Sequence, residues 1–201
     1  MRIDNNRNLF FALVFGSLAA LLMCAAVKAH AATNTEIIPS AGLTRTADSD
    51  ETKAIYGLAF RASMIPSVVD VELKGQYRNQ MVLGGAAREH QWPVTASLWL
   101  TPLRVVYAGA GVGWYHTTLD YQGGAAAPPT DTSERFGVHA GAGVRIPFGS
   151  AMALDLNGRY VWLENQETAI IPREFNPDFW DASLGLAFRF SGGHHHDEDK
   201  N

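Results

Sequence analysis

The stretch FWDASLGLAFRF, Phe179–Phe190, decides how the rest of the chain is read. Its apolar residues fall on every second position: Trp180, Ala182, Leu184, Leu186, Phe188 and Phe190. Between them stand Asp181, Ser183, Gly185, Ala187 and Arg189. A period of two belongs to a β-strand with one apolar and one polar face. Seven further runs upstream repeat it, roughly Glu36–Ala47, Lys53–Ala62, Val68–Arg78, Gln91–Thr101, Arg104–Leu119, Ser133–Ile146 and Ala151–Leu163. The first, broken by Pro39, is the weakest.

The connections alternate in length. SMIPS (63–67), TPLR (101–104) and PFGS (147–150) are tight turns bearing Pro or Gly. The segments 79–90, 120–132 and 164–178 are long and polar or rich in Gly and Pro. Short turns at one end and long loops at the other suit an outer-membrane barrel. Composition agrees. The chain has 201 residues, 18% charged, 10% aromatic, with 19 glycines, which fits one sheet-rich domain. Its formal charge of −4 offers no basic field for nucleic acid.

The N-terminus reads separately. Arg2 and Arg7 precede an apolar run, and Ala29-His30-Ala31 supplies a small-x-small site. Residues 1–31 are therefore expected to be a cleaved secretory signal peptide. An uncleaved anchor and a lipoprotein modified at Cys24 are the competing readings. Cleavage removes Cys24, the only cysteine, so the mature chain holds together without a disulfide.

Period two alone also fits a soluble sandwich or lipocalin-like barrel that buries its apolar face. The aromatic residues separate the two cases. On the apolar face, the position nearest the long-loop end is Tyr56, Tyr77, Trp92, Trp114, Phe136, Trp162 and Trp180 in strands two to eight. Mid-strand positions of that face are mainly Val, Ala and Leu. A soluble core has no reason to sort rings to one rim, whereas a bilayer does, because such rings favour the headgroup boundary. The apolar face is thus expected to meet lipid, with those seven residues as a girdle. The interior should then hold Arg61, Asp70, Glu72, Lys74, Arg78, Arg145, Asp155, Arg159, Asp181 and Arg189. The sheet must also close, since an open edge in lipid leaves backbone groups unpaired. The expected fold is all-β: a closed eight-stranded antiparallel up-and-down transmembrane barrel over residues 32–190.

YAGAGVGWY (107–115), FGVHAGAGVRIPFG (136–149) and the closing LGLAFRF (184–190) resemble the small eight-stranded outer-membrane barrels, the OmpA/OmpX/OmpW-like group with the outer membrane protein beta-barrel domain. The resemblance covers about residues 36–190. It implies outer-membrane lipid as surroundings, periplasmic termini, and recognition of the C-terminal aromatic strand by the outer-membrane assembly machinery. One departure stands out: SGGHHHDEDKN (191–201) follows Phe190, where the family's strand often ends the chain. This His/acidic tail is expected to be disordered.

Candidate chemistry is sparse. A lipid A deacylase type would need a His-x-Ser pair, and none occurs. His116 with Thr117 and Thr118, or Ser133 and Glu134 with His139, are the nearest groupings to a nucleophile and base. No cofactor is expected. His194, His195 and His196, beside Asp197, Glu198 and Asp199, are weak metal candidates against a solvated tail. The loop segment QETAIIPREFNP is the better candidate for a partner contact. The expected role is non-enzymatic, structural or interaction-type, in a monomer. A narrow channel for small or apolar solutes, as in the OmpW-like branch, is the alternative, followed by a lipid A-modifying enzyme and a soluble secreted barrel.

Overall fold

The structure, a computed structural model, describes residues 35–47, 52–82, 87–103, 105–121, 131–163 and 178–190. Eight strands follow in chain order: β1 (Thr35–Thr46), β2 (Thr52–Ile65), β3 (Val69–Val82), β4 (Ala87–Leu100), β5 (Val106–Tyr121), β6 (Asp131–Pro147), β7 (Met152–Leu163) and β8 (Phe179–Phe190). Each pairs antiparallel with its sequence neighbour, and β8 returns to pair with β1. The expected closed up-and-down barrel is the fold the chain adopts, and closure leaves no sheet edge.

Boundaries differ from expectation mainly at the long-loop end. β3 continues to Val82 instead of stopping at Arg78, and β4 begins at Ala87 instead of Gln91. Their connection shrinks from the expected 79–90 to 83–86. β5 and β6 likewise reach Tyr121 and Asp131. The apolar alternation stops near the aromatic belt, where β3 and β4 run through Asn79, Gln80, Arg88 and Glu89. Backbone pairing does not stop there: Asn79 still pairs with His90, and Thr118 with Thr132. At the other end β2 runs to Ile65 through a register shift between Ser63 and Ile65. The turn that follows is closed by a hydrogen bond from the Val68 N–H to the Ile65 carbonyl, 2.9 Å. Pro66 fills its second position, and Ser67 takes a left-handed φ of 63° where a type II turn prefers glycine.

Two prolines within strands each interrupt one ladder. Pro39 leaves a gap at Ile38 and Pro39 in the β1–β8 pairing. Pro93 does the same between β4 and β3, where pairing jumps from Gly75↔Val94 to Arg78↔Gln91. A missing N–H accounts for both, and the opposite ladder of each strand stays continuous there.

The faces are the reverse of a soluble protein's. Leu58 is 58% exposed and Trp92 54%, while Arg61 is 2% exposed and Glu72 1%. Apolar side chains point outward and charged ones inward, the arrangement a hydrocarbon solvent selects.

Candidate functional site

The interior is organised in levels along the barrel axis. At mid-height four charged groups from three strands meet. Arg61 of β2 donates from Nε and Nη2 to Glu72 Oε2 of β3, at 2.9 and 2.6 Å, and from Nη1 to Asp155 Oδ2 of β7 at 2.8 Å. Arg159 of β7 pairs with the other oxygen of Glu72 and donates to Asn157 Oδ1 at 2.6 Å. The Tyr107 hydroxyl donates to Asp155 Oδ1 at 2.7 Å and accepts from Asn157 at 3.1 Å. Both guanidinium groups lie over rings: Arg61 over Tyr107 at 4.6 Å, Arg159 over Trp99 at 5.0 Å. Every charge here has an opposite partner and an aromatic or polar neighbour, which compensates for its burial.

The rings fit because β5 and β6 present glycines inward. A Cβ on Gly143 would overlap the Tyr107 ring, one on Gly113 would stand 2.7 Å from Tyr115, and one on Gly111 would stand 2.7 Å from His139. The glycine-rich motifs of these strands therefore make room for side chains that fill the lumen.

Towards the long-loop end, Arg78 lies over Phe179 at 4.6 Å and pairs with Glu89 at 3.8 Å. Tyr115 packs edge-on against Phe179 at 5.8 Å. Lys74 reaches Ser183 at 3.3 Å, and Gln76 reaches Asp181 at 3.5 Å. At the short-turn end, Arg145 spans Glu36 at 3.3 Å and Asp70 at 3.4 Å, while Arg189 holds Glu36 at 3.0 Å. All ten charged residues singled out on the inner face thus turn into the barrel, divided among three levels.

On the outer face, Tyr56, Trp92, Trp162 and Trp180 are exposed, and Tyr77, Trp114 and Phe136 are partly so. They form cross-strand neighbours: Tyr56↔Tyr77, Trp114↔Phe136, and Tyr77 against Trp92 with ring centroids 4.4 Å apart. His90 extends this row, its Nδ1 being 2.9 Å from the Tyr77 hydroxyl.

Sequence reading missed several interior groups. Glu36 was hidden because β1 also turns Ile38 inward, which blurs the alternation. Tyr107 and Phe179 were not assigned a face, although parity with Gly109 and Asp181 places them inside. The proposed nucleophile groupings do not assemble. His116 lies on the outer face with Glu134, 3.7 Å away, while Thr117 points inward to Gln91. His139 is buried with Nε2 2.9 Å from Ser97 Oγ, and its Nδ1 has no hydrogen-bond partner, so no third group orients the pair. Among the described residues no cluster of three or more His, Cys, Asp or Glu side chains could hold a metal. His194, His195 and His196, the segment 1–31 and the loop QETAIIPREFNP lie outside the described residues.

No curated protein is similar to the chain in sequence. Among solved structures, a major outer membrane protein from Thermus thermophilus is similar over 78% of this chain and 99% of its own, with TM-score 0.57 and 13% identity. Ail, the attachment invasion locus protein of Yersinia pestis, crystallised with the heparin analogue sucrose octasulfate, is similar over 79% and 99%, with TM-score 0.55 and 13% identity. Neisserial surface protein A (NspA) is similar over 79% and 97%, with TM-score 0.52 and 14% identity. At these identities the likeness is one of fold. Residues 16–190 match a family model, described as the outer membrane protein beta-barrel domain. With its apolar face outward, its ladder closed and that match over most of its length, the chain belongs to the outer membrane protein beta-barrel domain family and is a β-barrel of the bacterial outer membrane.

Proposed function

We propose that this protein is a closed, non-enzymatic outer-membrane barrel with a structural or interaction role in the cell envelope, not a diffusion pore. The observation that carries this reading is the mid-height layer of Arg61, Glu72, Asp155 and Arg159, with Tyr107 and Trp99 packed on it. A solute passing through would have to separate buried opposite charges that have no water to replace their partners, which costs several kcal/mol per ion. An eight-stranded barrel has little lumen left once such side chains fill it. The barrel then acts as a rigid base for its loops, where recognition ordinarily resides.

The same reading includes a signal peptide over 1–31, periplasmic termini at the short-turn end, insertion through recognition of Phe179–Phe190 by the assembly machinery, and a monomeric state. The seven-residue aromatic row is its membrane-interface girdle on the long-loop side. Planar-bilayer recording of the purified, refolded barrel tests the main claim. Electrically silent insertion is expected. Reproducible unitary conductance steps would replace this reading with the narrow channel.

A further inference from the structure

The short-turn mouth holds a cavity of about 340 Å³. Its walls include Glu36, Asp70, Thr101, Arg145 and Arg189, and Arg61 is its floor. Liquid water occupies about 30 Å³ per molecule, so the space admits roughly ten water-sized units, enough for a small organic molecule. Arg61 is already committed to Glu72 and Asp155. The remaining wall charges, two carboxylates and two guanidinium groups, balance.

Arg189 holds Glu36 Oε1 from Nη2 at 3.0 Å and Nε at 3.2 Å, but the pairing of Arg145 is loose. Arg145 Nη2 stands 3.3 Å from Glu36 Oε2 and 3.4 Å from Asp70 Oδ2, and Arg145 Nε is 3.9 Å from Asp155. Charge-assisted N–H···O bonds are ordinarily about 2.7–2.9 Å. Three buried polar atoms of the wall have no hydrogen-bond partner: Glu36 Oε2, Arg145 Nε and the Thr101 hydroxyl. The acceptor Glu36 Oε2 and the donor Arg145 Nε are thus both left without a hydrogen bond in the wall of the cup.

A simple anion held by Arg145 and Arg189 would draw both guanidinium groups away from Glu36 and Asp70, and a simple cation held by Glu36 and Asp70 would draw both carboxylates away from the arginines. A molecule carrying both charges replaces both halves of the pair at once. We propose that this cup binds a small zwitterion, its carboxylate on Arg145 and Arg189 and its ammonium on Glu36 and Asp70, with the Thr101 hydroxyl as a further hydrogen bond. A free amino acid and the end of a short peptide both offer this chemistry.

The proposal goes beyond the closed-barrel reading, and binding can be measured whether or not the barrel conducts. The full barrel, refolded in detergent micelles, is titrated with alanine, dialanine, sodium acetate and methylammonium chloride, and amide chemical shifts of the wall residues are followed. Saturable shifts are expected with alanine or dialanine, and at least tenfold weaker binding with either single ion. Tighter binding of dialanine assigns the site to a peptide end; tighter or equal binding of alanine assigns it to the free amino acid. Glu36→Gln and Arg145→Gln should each weaken binding at least tenfold, and Thr101→Val about threefold. Heat-modifiable gel migration checks that each variant is folded, and Asp70→Asn replaces any variant that is not. No saturation by either zwitterion, equal binding of acetate, or unchanged affinity in the folded charge variants overturns the proposal.

Discussion

The middle of the barrel and its short-turn mouth are built from the same residue types, arginine against aspartate and glutamate, yet they differ in tightness. In the middle, Arg61 sits 2.6 Å from Glu72 and 2.8 Å from Asp155, under the Tyr107 ring. At the mouth, Arg145 keeps 3.3–3.9 Å from three carboxylates, is 5.9 Å from the Tyr107 ring centre, and its neighbour Arg189 is 30% exposed. The carboxylates are buried in both regions, and the guanidinium groups separate them: Arg61 and Arg159 are enclosed, while Arg145 and Arg189 keep contact with solvent. Where water is absent, a charge must be met closely from several sides. Where water can enter, looser contacts suffice and space remains. The middle is therefore a plug and the mouth a cup.

Removing the central anion should have the largest effect. Glu72→Gln takes away the partner shared by Arg61 and Arg159, leaving two buried cations with Asp155 alone among the central carboxylates. Breaking a buried pair from one side costs about 3–5 kcal/mol. Urea unfolding of the refolded barrel, followed by the heat-modifiable band, reads that loss. A cost below about 1 kcal/mol would mean that water reaches the middle layer and the contrast with the mouth does not exist.

Next comes the packing that makes the plug dry. Gly143→Ala places a methyl group against the Tyr107 ring and the Leu156 carbonyl, both held by the structure around them. Overpacking of this kind costs about 1–3 kcal/mol. Gly75→Ala, on the outer face with nothing within 4 Å of the added carbon, should be close to neutral. The same unfolding assay compares the pair. Equal effects would show that Tyr107 moves freely and that the lumen is not close-packed.

The fold was legible because a bilayer imposes a strict period of two and sorts rings to one rim. Trp92, Trp114, Trp162 and Trp180 state both signals plainly. The strand ends past the girdle were not legible, since Asn79, Gln80, Arg88 and Glu89 pair through backbone and carry no apolar alternation. The inner face was readable as charged but not as levels. Which arginine meets which carboxylate depends on the stagger of distant strands: Arg61 and Asp155 are 94 residues apart in sequence. Glu36 was lost for a local reason. β1 carries Pro39 and turns Ile38 inward, so its polar face looks mixed. The cup, which needs Glu36, could not be drawn without the register of β1 against β8.

Glu36→Gln is the mouth's counterpart of the Glu72 substitution and should have the smallest effect. Arg145 keeps Asp70 and Asp155 within reach, and Arg189 turns to solvent at little expense because it is already partly there. Glu36 is buried but its two arginine partners are partly solvated, so the expected loss is about 1 kcal/mol, between that of an exposed pair and the roughly 3–5 kcal/mol of a fully buried one. It should also shrink as ionic strength rises, because salt screens charges that water can reach. Repeating the urea titration of both variants at low and high sodium chloride separates the two regions: the Glu36 effect fades and the Glu72 effect persists. A Glu36 loss as large and as salt-insensitive as that of Glu72 would make the mouth a second plug, leaving no cup for a ligand to enter.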